Sequence, residues 1–437
     1  MRNAVIESIV NGIVSTPTPC QFNLSMTIKS EADSTFSLDM TFIDSLTIDQ
    51  SFIRNFRDVV TIEARISPAD YARIYDVYMG LTATLIFTFV DAHGDVTNTV
   101  KPIIKKYRCT IDDLQDVRKR ITAADHRREP DMSITFHLID YDVYDLSKAQ
   151  VGGMTYTSTT IDNVIRHAFV VMGVKKLDMT TIDNTHTYDH ILIPPYKAFD
   201  KLLPYFQATY GCYAAGINFY FTGGILYVYP PYDTSPDDNT PIKIYQVGQG
   251  EYVARWAHSY KNGTLSLISN TYPSITDYTI AGSEDHGTAV MFTRSAKLVD
   301  GAVKVDPNTG ASYTEDNSLI VRLKNSRQVA PNTNKVMYSR TSDNVFPNMS
   351  KLIASQCVIV TCLWGHAIPY SIAPGAAVNY VHDKAGQVIT QTGRVDGIVY
   401  TYKRTSQTGA GYVFSGGAQY SLRLRPDTLG DASTQTT

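Results

Sequence analysis

Apolar and polar residues alternate along much of the first third of the chain. The alternation runs from Phe22 to Ile62 and returns between Ala83 and Asp140. A period of two is typical of antiparallel strands that have one buried and one solvated face. A short helix that begins at Pro68 is predicted between the two stretches, because proline suits the first turn of a helix. We therefore predict that residues 1–153 form one β-domain.

A helical period replaces this alternation in the next part of the chain. Apolar residues recur there at spacings of three and four, which predicts amphipathic helices. Two short alternating runs follow and meet at a pair of glycines, a pattern typical of a β-hairpin. The predicted elements of this middle domain, residues 154–235, are helices near 160–173 and 196–210 and a hairpin at 217–229 that turns at Gly223 and Gly224.

Alternation returns in two later segments, residues 236–270 and residues 355–437. In the second segment, Pro374 and Gly375 predict a turn before a strand. We predict that the two segments form one split β-domain, and that residues 271–354 are a loop-rich extension of the middle domain. The expected fold is mainly β with an α+β insertion: two antiparallel β-barrel or sandwich domains plus a helix-containing middle domain.

Composition supports a strand-rich and turn-rich protein. Most of the 42 acidic residues are Asp, and the chain has 27 Gly and 29 Tyr; Asp and Gly favour turns, and Tyr favours strands. The net charge of −3 offers no general attraction to phosphates. No apolar run approaches the roughly 20 residues of a membrane helix, so stable membrane insertion is not expected. Glu7 interrupts the region where a secretory signal would be apolar, and no export signal is expected.

The five cysteines are odd in number and scattered, at positions 20, 109, 212, 357 and 362. Most are flanked by apolar or strand-favouring residues, which predicts buried free thiols. Cys357 and Cys362 are five positions apart, so an extended strand directs them to opposite faces. We therefore expect neither a disulfide nor a shared metal from this pair.

Candidate catalytic and metal motifs are weak. His186 and His190 have a spacing that would bind zinc on a helix, but the surrounding residues favour a turn and a strand. The segment from Asp91 to Asp95 resembles half of a metal loop, but we predict a tight hairpin turn there, with Gly94 at the position of positive φ. Neither a Gly-x-Ser-x-Gly nucleophile motif nor a phosphate-binding glycine loop occurs. We predict no catalytic, cofactor-binding or metal-binding residues, and no enzymatic activity.

One basic cluster comprises Lys105, Lys106, Arg108, Arg118 and Arg120. Acidic residues alternate with it, whereas a nucleic-acid surface would need aromatic residues and a basic surround. A solvated or partner-facing surface of ion pairs is the preferred interpretation.

The order of these units resembles the central baseplate hub protein of contractile-tailed bacteriophages. The resemblance lies in residues 36–44 and 107–111 of the first β-domain, in the helices and hairpin of the middle domain, and in Ala373-Pro374-Gly375 before a strand. It implies that both β-domains are tail-tube-like, and that three copies form a ring with six similar units. Such a homotrimer would join the sixfold tail tube to the threefold central spike. Residues 271–354 are longer and richer in loops than this family implies.

The resemblance also implies partners and a location. They are the central spike protein, the tail tube protein, the tape measure protein and the baseplate wedge proteins, in a virion tail baseplate that is assembled in the host cytoplasm. DNA would meet the protein only in transit through a ring lumen. A neutral or mildly acidic lumen lining would weaken the attraction to phosphate.

Three other functions remain open from the sequence. One is the hub or distal-tail ring of a non-contractile phage, or of a related injection machine. Another is a tail-associated cell-wall hydrolase. The last is a carbohydrate-binding β-module, which only the abundant tyrosines suggest.

Overall fold

The computed structural model describes most residues of the stretches 21–246 and 358–424, and only short strands between them. The gaps within these stretches are 41, 52–55, 77–79, 91–95, 97–100, 112–131, 214–215, 231–240, 366, 385 and 408–410. Several predictions fall outside the described residues: those for Cys20 and Cys357, for the turn at 91–95, for Arg118 and Arg120, and for most of the extension 271–354.

The described residues contain 27 strands and four helices, which confirms the expectation of a mainly β fold. The strands are β1 (Gln21–Ser30), β2 (Ser37–Met40), β3 (Ile43–Gln50), β4 (Val59–Ile66), β5 (Leu81–Val90), β6 (Ile103–Ile111), β7 (Met132–Asp140), β8 (Gln150–Val151), β9 (Met154–Thr160), β10 (Leu177–Met179), β11 (Thr187–Ile193), β12 (Lys197–Ala198), β13 (Asn218–Thr222), β14 (Ile225–Tyr229), β15 (Ile242–Gln246), β16 (His258–Lys261), β17 (Thr264–Ser269), β18 (Ser274–Ile275), β19 (Val290–Thr293), β20 (Lys304–Val305), β21 (Ser312–Tyr313), β22 (Leu319–Arg322), β23 (Val336–Ser339), β24 (Val358–Gly365), β25 (Ala377–Lys384), β26 (Gln387–Gln407) and β27 (Gly411–Leu424). The helices are α1 (Pro68–Asp76), α2 (Tyr141–Lys148), α3 (Ile161–Val171) and α4 (Phe199–Thr209).

Eight strands close into a barrel. Their order is β26, β3, β4, β7, β6, β5, β1 and β27, and β27 pairs again with β26. Closure removes the unpaired edges that an open sheet would expose. The barrel takes six strands from the predicted first β-domain and its last two from the carboxyl-terminal segment, so the two predicted β-domains share one hydrogen-bonded sheet.

The two longest strands, β26 and β27, extend beyond the barrel. There β26 pairs with β25, and β27 pairs with β24. Strands β15, β17 and β16 continue the sheet from β25, and β18 continues it from β24. Strands β26 and β27 therefore belong both to the barrel and to a second set of strands beside it.

Aromatic rings fill the core where β1 meets β26 and β27. The Phe22 ring of β1 lies 4.9 Å from the Tyr402 ring of β26 and 5.3 Å from the Phe87 ring of β5. Phe414 of β27 stacks on the same phenylalanine, at 5.9 Å, and is its register partner across the closing seam. These rings belong to the large core, the buried cluster that the barrel and its flanking strands share.

A second core lies in the middle segment. Helices α3 and α4 bury one face each, and the short β9–β11 ladder and the hairpin β13–β14 contribute the remaining side chains. Helix α4 ends where Gly211 adopts a φ of +82° and donates a hydrogen bond to the carbonyl of Phe206. We call this cluster the second core.

The described cysteines are buried free thiols. Cys109 belongs to the large core and Cys212 to the second core, and Cys362 is buried in β24. Burial raises the pKa of Cys109 to about 12, so this thiol stays protonated at neutral pH. Among the described helices, none has both the length and the apolar character of a membrane span.

Gly416 is tightly confined where β26 and β27 pair. A Cβ at this position would lie 2.0 Å from the carbonyl oxygen of Thr401, whereas at Gly365 of the neighbouring strand it would meet nothing within 4 Å. We predict that Gly416→Ala lowers the free energy of unfolding by about 1–3 kcal/mol or more, because backbone must move. Gly365→Ala, the matched control, should change it by under about 0.5 kcal/mol. Urea unfolding of both variants measures this difference, and equal stabilities would contradict it.

Candidate functional site at the hairpin junction

The hairpin β13–β14 is buried on both faces. Phe219 and Phe221 point into the second core with Leu226 and Val228 of the paired strand. The alternate residues Asn218 and Tyr220 point to the large core, of which Tyr220 is a fully buried member. The hairpin thus joins the middle segment to the barrel.

A buried carboxyl group receives Tyr220. The Tyr220 hydroxyl and Gln50 Nε2 both donate hydrogen bonds to Asp58 Oδ1, the second at 2.8 Å. Asp58 is only 1% exposed, and burial raises its pKa to about 7. The hydrogen bond from Gln50 and the charge of Lys105 oppose this rise, but desolvation is the larger effect.

A second buried carboxyl group lies on the same side of the hairpin. Arg423 Nη2 and Nε donate to Asp396 Oδ2 at 2.7 and 3.0 Å. Burial raises the pKa of Asp396, whereas Arg423 and a hydrogen bond from the Asn218 side chain act to lower it. Asn218 and Tyr220 are two positions apart and therefore lie on the same face of the strand. Asn218 donates a hydrogen bond to Asp396, and Tyr220 donates one to Asp58.

The backbone before β4 completes the junction. The Phe221 N–H donates to the Phe56 carbonyl at 2.6 Å, and Arg57 forms an isolated parallel bridge with Phe221. The Phe56 ring lies 5.2 Å from the ring of Phe199 at the start of α4 and 6.1 Å from that of Phe219. One short segment therefore contributes a ring to the second core and, at Asp58, a carboxyl group to the large core.

Four glycine and proline positions were predicted as turns. Gly223 and Gly224 form the hairpin turn with φ values of +57° and +78°. Pro374 and Gly375 form a turn before β25, and Gly375 has a φ of +66°. Arg394 Nη1 donates to the Gly375 carbonyl at 2.6 Å. This second turn faces the hairpin, because its glycine packs against the ring of Tyr229 at the end of β14.

The described residues of the predicted basic cluster lie on opposite faces of β6, because side chains alternate along a strand. Lys105 points inward, where its Nζ lies 4.7 Å from the centre of the Tyr370 ring. Lys106 is exposed on the opposite face. Arg108 shares that face but forms an ion pair with Glu31 and lies over the rings of Tyr141 and Tyr144. For Arg108, therefore, the structure shows intramolecular contacts, and contact of the cluster with a partner stays a prediction.

The two histidines with zinc-like spacing lie in a turn and a strand. His190 is exposed within β11, and the His186 N–H donates to Asn184 Oδ1 at 3.0 Å. Within the described ranges, no group of three or more His, Cys, Asp and Glu side chains is placed to hold a metal ion.

Sequence reasoning identified the hairpin but missed the residues that hold it. The available signal was in Asn218-Phe-Tyr-Phe221, which has no charged residue on either face and is therefore unlike a strand with one wet face. Asp58 and Asp396 carry no such signal, because an isolated Asp next to a strand is typical of a solvated turn.

A family model described as Bacteriophage PBS1 gene 109 protein matches residues 47–247. The match covers a little under half of the chain and includes β4, the middle segment and the hairpin. It agrees with the resemblance to a bacteriophage protein that the sequence indicated. No curated protein matches the chain.

Solved structures with a similar outline come from tail and secretion proteins. A tail protein from Neisseria meningitidis MC58 is 10% identical with a TM-score of 0.48, and the match covers 92% of this chain and 96% of that one. A 43 kDa tail protein of prophage MuSo2 from Shewanella oneidensis is 10% identical with a TM-score of 0.42, at 92% and 96% coverage. A chain of the Francisella PdpA–VgrG complex is 8% identical with a TM-score of 0.46, at 97% and 61% coverage.

Loss of Arg423 should leave Asp396 as a buried carboxylate without its cation. We predict that Arg423→Gln lowers the free energy of unfolding at pH 7 by about 3–5 kcal/mol. The double variant Asp396→Asn/Arg423→Gln should recover most of that loss. The control is Arg166→Gln, which breaks the more exposed pair with Asp162 and should cost no more than about 1 kcal/mol. Denaturant unfolding measures all three, and a loss in the double variant as large as that of Arg423→Gln would contradict this account.

Gly375 can be tested against a glycine of similar backbone conformation. A Cβ at Gly375 would lie 2.6 Å from two Tyr229 ring atoms, whereas at Gly386, with a φ of +85°, it would meet nothing within 4 Å. We predict that Gly386→Ala costs about 1–2 kcal/mol from backbone strain alone. Gly375→Ala should cost about 1–3 kcal/mol more, because the buried ring must move. Thermal unfolding of the two variants gives the difference, and equal midpoints would show that the Tyr229 contact contributes nothing.

Proposed function

We propose that this chain is a structural protein of a phage tail baseplate and that it acts as a homotrimeric hub. The hub joins a sixfold tail tube to a threefold central spike and forms part of the DNA-ejection channel. Its partners are the spike, the tail tube, tape measure and baseplate wedge proteins. Its location is the virion tail, after assembly in the host cytoplasm. The role needs no catalysis and no cofactor.

The observation that carries the proposal is that β26 and β27 belong to two groups of strands at once. One part of this pair closes the eight-stranded barrel, and the other part holds the strands around β24 and β25. Each chain therefore presents two adjacent β-units on a shared pair of strands. Three such chains would place six β-units around one axis, which is the number that a sixfold tube requires.

The outer faces of β1, β3 and β5 support passage of DNA without tight binding. Solvent-side positions of β1, β3 and β5 are mostly short hydroxyl residues, with few cations: Ser25, Thr27, Ser45, Thr47, Thr82, Thr84 and Thr88. Tight binding to nucleic acid needs a dense set of Lys and Arg side chains. A channel wall formed by this face would therefore offer little attraction to phosphates.

The match of residues 47–247 to a phage protein family supports the same assignment. The matched part contains Gln50, Asp58 and the hairpin, whereas Asp396 and Arg423 lie outside it.

The trimer can be tested by light scattering after size exclusion. We predict a mass of about three times 48.5 kDa, for the protein alone or mixed with the spike protein of the same phage. Because interfaces of this kind bury thousands of Å² of mainly apolar surface, the trimer should persist at high salt. A monomer in both samples would contradict the hub assignment.

A further inference from the structure

We propose that Asp58 is a proton-controlled latch for the hairpin. With a proton on Oδ2, its carboxyl group forms a two-hydrogen-bond pair with the Gln50 amide and holds Tyr220 on the large core. Without that proton the closed state contains a buried carboxylate that has no counter-ion, so the hairpin separates more readily from the barrel.

The hydrogen bonds around Asp58 are one donor short. Oδ1 accepts from both Gln50 Nε2 and the Tyr220 hydroxyl. Asp58 Oδ2 and Gln50 Oε1 are both buried, and neither has a hydrogen-bond partner among the described residues. A buried acceptor without a donor is costly. One proton on Oδ2 could donate to Gln50 Oε1 and satisfy both oxygens at once, as in a paired acid and amide.

Burial favours this neutral form more strongly than the nearby charge of Lys105 opposes it. Lys105 of β6 is the nearby cation, but its ammonium group lies over the Tyr370 ring, and no ion pair to Asp58 occurs among the described residues. Asp140 at the end of β7 adds negative charge and is itself buried with a raised pKa. The other neighbours are the hydroxyl groups of Tyr107, Tyr370 and Tyr400. Burial raises their pKa values above the ordinary value for tyrosine, so these groups are uncharged at neutral pH.

Asp396 shows the alternative solution. Asp396 accepts a hydrogen bond from Asn218 of the hairpin, as Asp58 does from Tyr220, but Asp396 also forms an ion pair with Arg423. The hairpin is therefore fastened at one point by a compensated charge and at the other by a group without a counter-ion. Only the second point depends strongly on a single proton.

The direction of the pH effect follows from the two states. Asp58 has a pKa of about 7 when the hairpin is closed and about 4 when water reaches it. The closed state therefore binds the proton more tightly, and the latch is complete below about pH 4. Its contribution is lost as the pH rises to about 7, and it is constant above that pH.

Tyr220 is the partner that can leave. Gln50 and Asp58 are both fixed by the barrel, at the end of β3 and immediately before β4. Tyr220 reaches them from the middle segment, and the Phe221–Phe56 hydrogen bond lies directly beside it. Loss of the contact between Tyr220 and Asp58 is therefore expected to favour opening of the whole hairpin.

Hydrogen exchange of the full-length protein tests the latch. Peptides that cover residues 218–229 would be followed by mass spectrometry from pH 4.5 to 8.5, with exchange rates corrected for their intrinsic pH dependence. Peptides from β4 serve as the internal reference. In the wild type, we expect the opening equilibrium of the hairpin to rise by up to about tenfold per pH unit below pH 7 and to level off above it.

Asp58→Asn should remove this contribution, because an amide does not titrate in this range. In this variant the opening equilibrium of the hairpin should depend less steeply on pH than in the wild type, by up to about tenfold per pH unit. The control is Asp49→Asn, which changes the neighbouring carboxylate that accepts a hydrogen bond from the Ser51 N–H. That variant should keep the wild-type slope. An Asp58→Asn slope equal to the wild-type slope would overturn the proposal.

Tyr220→Phe provides a second test if Asp58→Asn does not fold. Loss of the hydroxyl removes a donor that stabilises the charged carboxylate, so the closed-state pKa of Asp58 should rise. We expect the pH at which hairpin opening levels off to move upward. The same levelling pH in Tyr220→Phe and wild type would overturn the proposal.

Discussion

The rest of the structure depends on a strand that has no face left for solvent. In β13, Phe219 and Phe221 face one core, and Asn218 and Tyr220 face the other. The apolar side chains lose exposure to water in the second core, and the polar ones must find partners in the large core. Asp58 and Asp396 are those partners. Because polar contacts need specific directions, whereas apolar packing is non-directional, these two carboxyl groups determine how the middle segment is placed on the barrel.

Barrel closure imposes the second constraint. Phe22 near the beginning of the described chain and Phe414 near its end are paired across one seam. The barrel can therefore close only after the carboxyl-terminal strands are present, and the middle segment is an insertion between strands of one sheet. Contacts of such large sequence separation slow folding. They also tie the second set of strands to the barrel, since β26 and β27 belong to both. Two β-units in a fixed relation are what a symmetry adapter would need.

Much of this architecture was predictable from local patterns. The period of two marked the strands of the barrel, and the spacing of Phe199, Leu202 and Phe206 marked α4, because each pattern reports a single buried face. The turn at Gly223 and Gly224 followed from glycine chemistry. The shared barrel did not, because pairing between strands that are more than 300 residues apart leaves no local signal. Asp58 and Asp396 were missed for a related reason: whether an aspartate is solvated or buried depends on what the fold places beside it.

The most direct test of this account is native-state hydrogen exchange at pH 5, as a function of denaturant. If the hairpin is held by both cores, its amides in residues 218–229 should open at a higher free energy than those of α3 and α4, in a transition of their own or together with β4 in the centre of the barrel. If these amides instead open together with α3 and α4 at a lower free energy, while β4 stays closed, the hairpin belongs to the middle segment alone. That result would contradict the central claim that the two cores are joined through β13.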